Sequence, residues 1–304
     1  MKTRTITGAC YMAILLVFFF LKIFVHDFCF DVLIYLYALL GTHEIVRAFS
    51  DKMTKTEKVI VYVFAAVCIP ACAISEYFFR YGLHLTGICF TAMGSVLLSL
   101  LVLKHEETTI ENLGVTLFSC VYPVLMLTVL VLINHVSDPS AIALAKYPEA
   151  LKNVAINSDL LIVFVFVISP LSDCVAYLFG RFLRKKFPEK MAPDISPNKT
   201  VIGGIGGLIG GIIGGIAIYF AYNAIAGSFA QMHIWLPVYI AIGFVAAAAT
   251  EFGDLVESCI KRKVGIKDMG NIMPGHGGIL DRIDGTMFAG LAVYLVFALI
   301  RALV

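Results

Sequence analysis

The chain has 304 residues, of which 60% are hydrophobic and only 14% charged, with a mean hydropathy of +0.91 and a formal net charge of +2. Soluble domains carry roughly 25% charged residues, so this composition excludes a soluble globular protein and describes an integral membrane protein. The net charge adds nothing further, and no nucleic-acid partner is expected.

Apolar runs at 7–25, 28–48, 58–79, 82–103, 113–134, 158–180, 203–226, 234–253 and 285–303 are each long enough to cross a hydrocarbon core of about 30 Å as a helix. They predict an all-α, polytopic fold of about nine transmembrane helices. The first run lacks a small-residue cleavage site and is expected to stay as an anchor. His43 and Glu44 interrupt the second run, and Asp173 the sixth. When alternate loops are assigned to alternate sides, eighteen of the 23 Lys and Arg fall on the side of the N-terminus. The other five are Lys22, Arg80, Lys146, Lys152 and Arg301. The positive-inside rule then predicts a cytoplasmic N-terminus and an outside C-terminus.

Residues 1–155 make an N-terminal transmembrane region of about five spans, in which nothing looks chemical. Its outer segment, 135–157, has room for a short surface helix. The eight cysteines (Cys10, Cys29, Cys68, Cys72, Cys89, Cys120, Cys174 and Cys259) lie in or beside the spans without paired metal spacing. Cys68 and Cys72, four apart, are expected to pack as small hydrophobes, with no disulfide or metal role.

From 156 to 304 the polar residues gather on the cytoplasmic side, at the end of the sixth span, in the loop 181–202 and in the segment 251–284. Asp173 sits deep in its span, where an acid is costly unless it is compensated. The run "GGIGGLIGGIIGG", residues 203–215, repeats glycine every fourth residue in two registers. That is the spacing of close helix packing in lipid, and it is preferred to a phosphate cradle. No P-loop pattern occurs. If the eighth helix runs past Ala249, then Glu251, Asp254, Ser258 and Lys261 share a face. Asp281 and Asp284 open the ninth span as a pair about 5–6 Å apart. Such oxygen-only ligands suit Mg²⁺, which keeps its other positions for water and phosphate. Neighbouring Lys and Arg would hold the phosphates. His276, in "PGHGG", stands where glycines let the backbone approach a ligand.

The stretch "SCIKRKVGIKDMGNIMPGHGGILDRID", residues 258–284, resembles the signature of the phosphatidate cytidylyltransferases, and does so without a gap. The matching residues are Ser258, Lys261, Arg262, Lys267, Asp268, Pro274, His276, Gly277, Gly278, Asp281, Arg282 and Asp284. "GDLVES" is similar to the family's Gly-Asp segment. "SDCVAYLFGR" and "ISPNKT" are similar to its two other motifs. The resemblance covers about residues 160–304. Met273 replaces a Leu, Ile or Phe. "VIGG" stands where Trp-Glu-Gly commonly follows "ISPNKT", so any role of that Glu is missing or supplied elsewhere.

This resemblance implies CTP plus phosphatidate giving CDP-diacylglycerol and pyrophosphate, with Mg²⁺ as cofactor and the number of cations left open. It implies a metal centre of Asp254, Asp281 and Asp284, with Lys261, Lys267 and His276 joining them in catalysis. Substrate binding would involve Ser196, Lys199, Ser258, Arg262, Arg282, Asp173 and Asp268. The expected location is the plasma (inner) membrane, with the active site on the cytoplasmic side, and a homodimer is left open. A CTP-dependent polyprenol or phytol kinase is the nearest rival. A transporter would place its acids at mid-bilayer, and the Asp-Gly-x-x-Ala-Arg motif of the CDP-alcohol phosphotransferases is absent.

Overall fold

The computed structural model describes residues 2–136, 157–226, 232–275 and 277–303. Most of the segment in which a surface helix was expected, and His276, therefore lie outside the described residues. Among the described residues nine helices are long and apolar enough to cross a membrane, and they fall on the nine expected runs. The chain forms two compact units. One comprises Met1–His135 with Lys263–Ile283, and the other Val136–Arg262 with Asp284–Val304. The signature turn, residues 269–280, lies within the expected 156–304 region and thus packs with the N-terminal helices.

The first unit holds α1 (Lys2–Phe24), α2 (Phe28–Ala48), α3 (Lys55–Phe79), α4 (Gly82–Leu103), α5 (Ile110–Ser119) and α6 (Met126–Asn134). Together α5 and α6 form the fifth span. A π turn over Cys120–Leu125 joins them, and within it Tyr122 leaves helical dihedrals just before Pro123, which has no N–H to donate. The start of α3 is fixed by a capping box. Glu57 N donates to Thr54 Oγ1 at 3.3 Å, and Thr54 N donates to Glu57 Oε2 at 2.6 Å. Phe30, Leu33, Ile34, Ile45, Ile69 and Leu127 are fully buried in this unit, and Cys68 and Cys72 are buried with them as small apolar side chains.

The second unit holds α7 (Ser158–Leu183), a hairpin of β1 (Lys190–Ala192) and β2 (Ser196–Thr200), α8 (Val201–Ala226) and α9 (Met232–Val264). Most of α10 (Leu280–Leu303) belongs to it as well. Asn157 caps α7 by accepting from Leu160 N at 2.9 Å. The hairpin is antiparallel, pairing Lys190 with Thr200 and Ala192 with Ser196. It is the one addition to the expected all-helical fold among the described residues.

The two glycine registers of α8 serve two neighbours. A Cβ on Gly206, Gly210 or Gly214 would run into Phe179, Val175 or Ile168 of α7. One on Gly211 or Gly215 would meet the backbone of Gly243 or Tyr239 on α9. Each fourth glycine lets one helix backbone lie against another, where lipid supplies no hydrophobic drive and close packing must hold the helices together. Gly215→Val should therefore cost about 1–3 kcal/mol through overpacking. Gly87→Val on α4, where a Cβ meets nothing within 4 Å, should be near neutral. Thermal unfolding in one detergent checks the pair, and equal melting temperatures would contradict the packing account.

Candidate active site

Helix α9 continues past the apolar run to Val264, so Glu251, Asp254, Glu257, Ser258 and Lys261 all lie on one helix. At this end α9 and α10 approach closely through glycine. A Cβ on Gly253 would overlap Phe288 and the Asp284 carbonyl, and one on Gly285 would overlap Thr250. These glycines are the chain neighbours of Asp254 and Asp284, so the close crossing is what brings the two acids together. Asp254, Glu257 and Asp284 each offer an oxygen, and these atoms lie within 4.8 Å of one another. The donors are all hard oxygens, which fits Mg²⁺ better than a metal that favours nitrogen or sulfur.

Cations stand on this cluster. Lys199 Nζ, reaching from β2, lies 2.5 Å from Asp254 Oδ2 and 3.3 Å from Glu251 Oε2. Lys261 Nζ pairs with Glu257 one turn back on α9. Burial lowers the pKa of Lys199, but the charges of Asp254 and Glu251 outweigh burial and leave it raised above the ordinary lysine value. The side chain is therefore a fixed ammonium throughout the physiological range. Asp173, Tyr177, Arg181, Arg184, Lys199 and Asp254 line a cavity of about 680 Å³. Its lining combines basic with acidic side chains, which suits a phosphate held next to a divalent cation.

The remaining expected residues belong to the signature turn or to its approaches. Lys267, Asp268, Asn271, Pro274, Gly275 and Arg282 line a cavity of about 430 Å³ in the first unit. Asp281 opens α10 with Asp284 one turn later, as the spacing predicted, and its Oδ2 accepts from Met269 N and Gly278 N, both at 2.8 Å. Arg262 Nε donates to Ile195 O at 3.3 Å, tying α9 to the hairpin turn before Ser196. Ser258 is half-buried on α9. The structure thus brings Asp173, Lys199, Asp254, Lys261 and Asp284 into one unit, and Lys267, Asp268, Asp281 and Arg282 into the other.

Three carboxylates take positions that the sequence had not assigned to a site: Glu251, which pairs with Lys199, Glu257 and Glu44. Glu257 is three residues after Asp254, a spacing that puts both on one helical face and could have flagged it. Glu44 had only been noted as an interruption of a span, although an acid inside an apolar run is itself a functional signal.

A family model described as the cytidylyltransferase family matches residues 2–300. Curated relatives named phosphatidate cytidylyltransferase, from Staphylococcus haemolyticus (strain JCSC1435) and Staphylococcus aureus (strain COL), are 42% identical over 127 residues. A relative of the same name from Staphylococcus epidermidis (strain ATCC 12228) is 43% identical over the same length. These alignments cover 42% of this chain and 45% of each relative, so the chain spans less than half the length of the curated relatives it matches. The family model, by contrast, runs through all nine apolar helices and takes in both the acidic cluster and the signature turn, and on that match the chain belongs to the cytidylyltransferase family.

Proposed function

We propose that the chain is a phosphatidate cytidylyltransferase of phospholipid biosynthesis, making CDP-diacylglycerol and pyrophosphate from CTP and phosphatidate. The observation that carries this reading is the convergence of Asp254, Glu257 and Asp284 beside Lys199 and Lys261, at the end of membrane helices, in a chain of the cytidylyltransferase family.

A phosphatidate oxygen attacks the α-phosphorus of CTP. The bond from that phosphorus to the bridging oxygen breaks, and pyrophosphate leaves. Asp254, Glu257 and Asp284 would hold Mg²⁺, which when bound supplies neutralisation of phosphate charge. Lys199, Arg181 and Arg184 supply fixed positive charge around the 680 Å³ cavity, suited to a lipid phosphate. Lys267 and Arg282 line the signature cavity and suit the phosphates of CTP. In this reading Asp281 orders the signature turn through its two amide bonds rather than serving as a metal ligand.

The test is a transfer assay with detergent-solubilised protein and phosphatidate, using CTP labelled in either the α- or the γ-phosphate. The expected result is α-label in the lipid product and γ-label in pyrophosphate. A lipid kinase would put the γ-label in lipid, and that outcome would overturn the reading.

The distribution of Lys and Arg supports a cytoplasmic N-terminus, and a plasma-membrane location would give the chain access to both cytosolic CTP and membrane-borne phosphatidate. In a background without native cysteines, a cysteine at Lys186 or Lys263 should be shielded from an impermeant thiol reagent in intact cells, and one at Lys146 should react. Outside labelling at Lys263 would reverse the topology.

A further inference from the structure

Glu44 lies on α2, far in sequence from the signature, and is 1% exposed. Its Oε1 accepts from Ile279 N and its Oε2 from Leu280 N, each at 2.9 Å. These are opening N–H groups of α10, which have no partner within the helix, and the positive end of the helix dipole favours an anion there. Arg47, one turn later on α2, donates from Nη2 to Met269 O at 2.8 Å. A Cβ on either Gly270 or Gly278 would overlap the Glu44 carboxyl group, so both positions need glycine for this side chain to fit. Through Glu44 and Arg47, α2 therefore grips three backbone groups of the turn between Met269 and Leu280. The same turn carries Asn271, Pro274 and Gly275 on the wall of the 430 Å³ cavity, with Lys267 and Arg282 at its two ends.

We propose that Glu44 is the positioning residue of the signature turn, holding its backbone so that Lys267 and Arg282 meet the phosphates of CTP. The proposal rests on the cytidylyltransferase reading for its substrate, but not for the grip itself. Glutamate fits because one carboxylate can accept from two adjacent N–H groups, whereas a glutamine presents an NH₂ to one of them.

The experiment uses the full chain in detergent with Glu44→Gln, measuring the KM of each substrate, the melting temperature and amide hydrogen exchange of the segment 277–284. The expected result is a KM for CTP raised about tenfold, a KM for phosphatidate within about twofold, and faster exchange in the segment. A residue that only stabilised the fold would lower the melting temperature and leave the CTP KM of the folded enzyme alone. A CTP KM within about twofold of the parent's therefore overturns the proposal whatever the melting temperature. If Glu44→Gln does not fold, Gly278→Ala crowds the same carboxylate from the other side and should raise the same KM. If the parent protein makes no CDP-diacylglycerol, the functional reading fails, and hydrogen exchange still decides the grip, unchanged exchange refuting it.

Discussion

Asp254→Asn and Asp284→Asn are each expected to lower CDP-diacylglycerol formation by about a hundredfold or more at saturating substrate, with the protein still folded. Asparagine keeps the size of the side chain and one oxygen but removes the charge, so the close crossing of α9 and α10 at Gly253 and Gly285 is preserved. The oxygens of Asp254, Glu257 and Asp284 lie within 4.8 Å of one another, and three like charges that close are tolerated only with cations among them. Lys199 and Lys261 supply two of these. Removing Asp284 relieves repulsion, so the melting temperature of Asp284→Asn should hold or rise while activity collapses, whereas Asp254→Asn also gives up the ion pair with Lys199. That opposite movement separates a functional acid from a structural one, since loss of a structural acid would lower both. Mg²⁺-induced thermal stabilisation gives a readout apart from activity, and it should shrink in both variants. Near-normal turnover of Asp284→Asn would falsify the assignment.

Lys199→Met is expected to be the second most damaging change, lowering activity by about a hundredfold and stability by about 1–3 kcal/mol. The stability figure is below that of a fully buried pair because Asp254 keeps 34% of its side-chain surface exposed. Methionine fills similar volume without charge, leaving Glu251 and Asp254 facing one another without their shared cation. The direction of the Lys199 pKa adds a check on pH. Its folded value is raised, so the stabilisation it contributes is fully present below the unfolded lysine value of about 10.4 and is lost only as pH rises through the higher folded value. No alkaline loss of activity below that range should trace to Lys199. An alkaline limb in the parent near neutral pH that disappears in Lys199→Met would contradict the fixed ammonium. Lys199→Arg keeps the charge but not the compact ammonium, and should restore stability more than turnover.

Much of the site was legible because the signature residues lie close together in the chain. Asp281 and Asp284 are three apart on a helix whose start the apolar run foretold, and their shared face follows from helical geometry alone. Lys199 and Asp173 were named from short motifs, and both line the cavity that also holds Asp254. Glu257 was within reach of the same periodic reasoning, but spacing does not reveal which of two neighbouring acids faces inward. Glu44 could not be joined to the signature by any spacing argument. It lies more than two hundred residues from Ile279, and only the packing of α2 against the turn makes it a cap.

The sequence by itself determined the solvent, the nine spans and the two glycine registers, because hydrophobic length and small-residue periodicity are local properties of a chain that must satisfy its backbone inside lipid. The tertiary structure alone decided which acids meet and which backbone groups are held. It gathered Glu257 with Asp254 and Asp284, and it set Asp281 Oδ2 against the amides of Met269 and Gly278. It also packed the turn with the N-terminal helices. The physical reason is that a carboxylate's role depends on which donors or charges stand within about 3 Å of it, and at that range the partners come from helix crossings that no stretch of sequence contains.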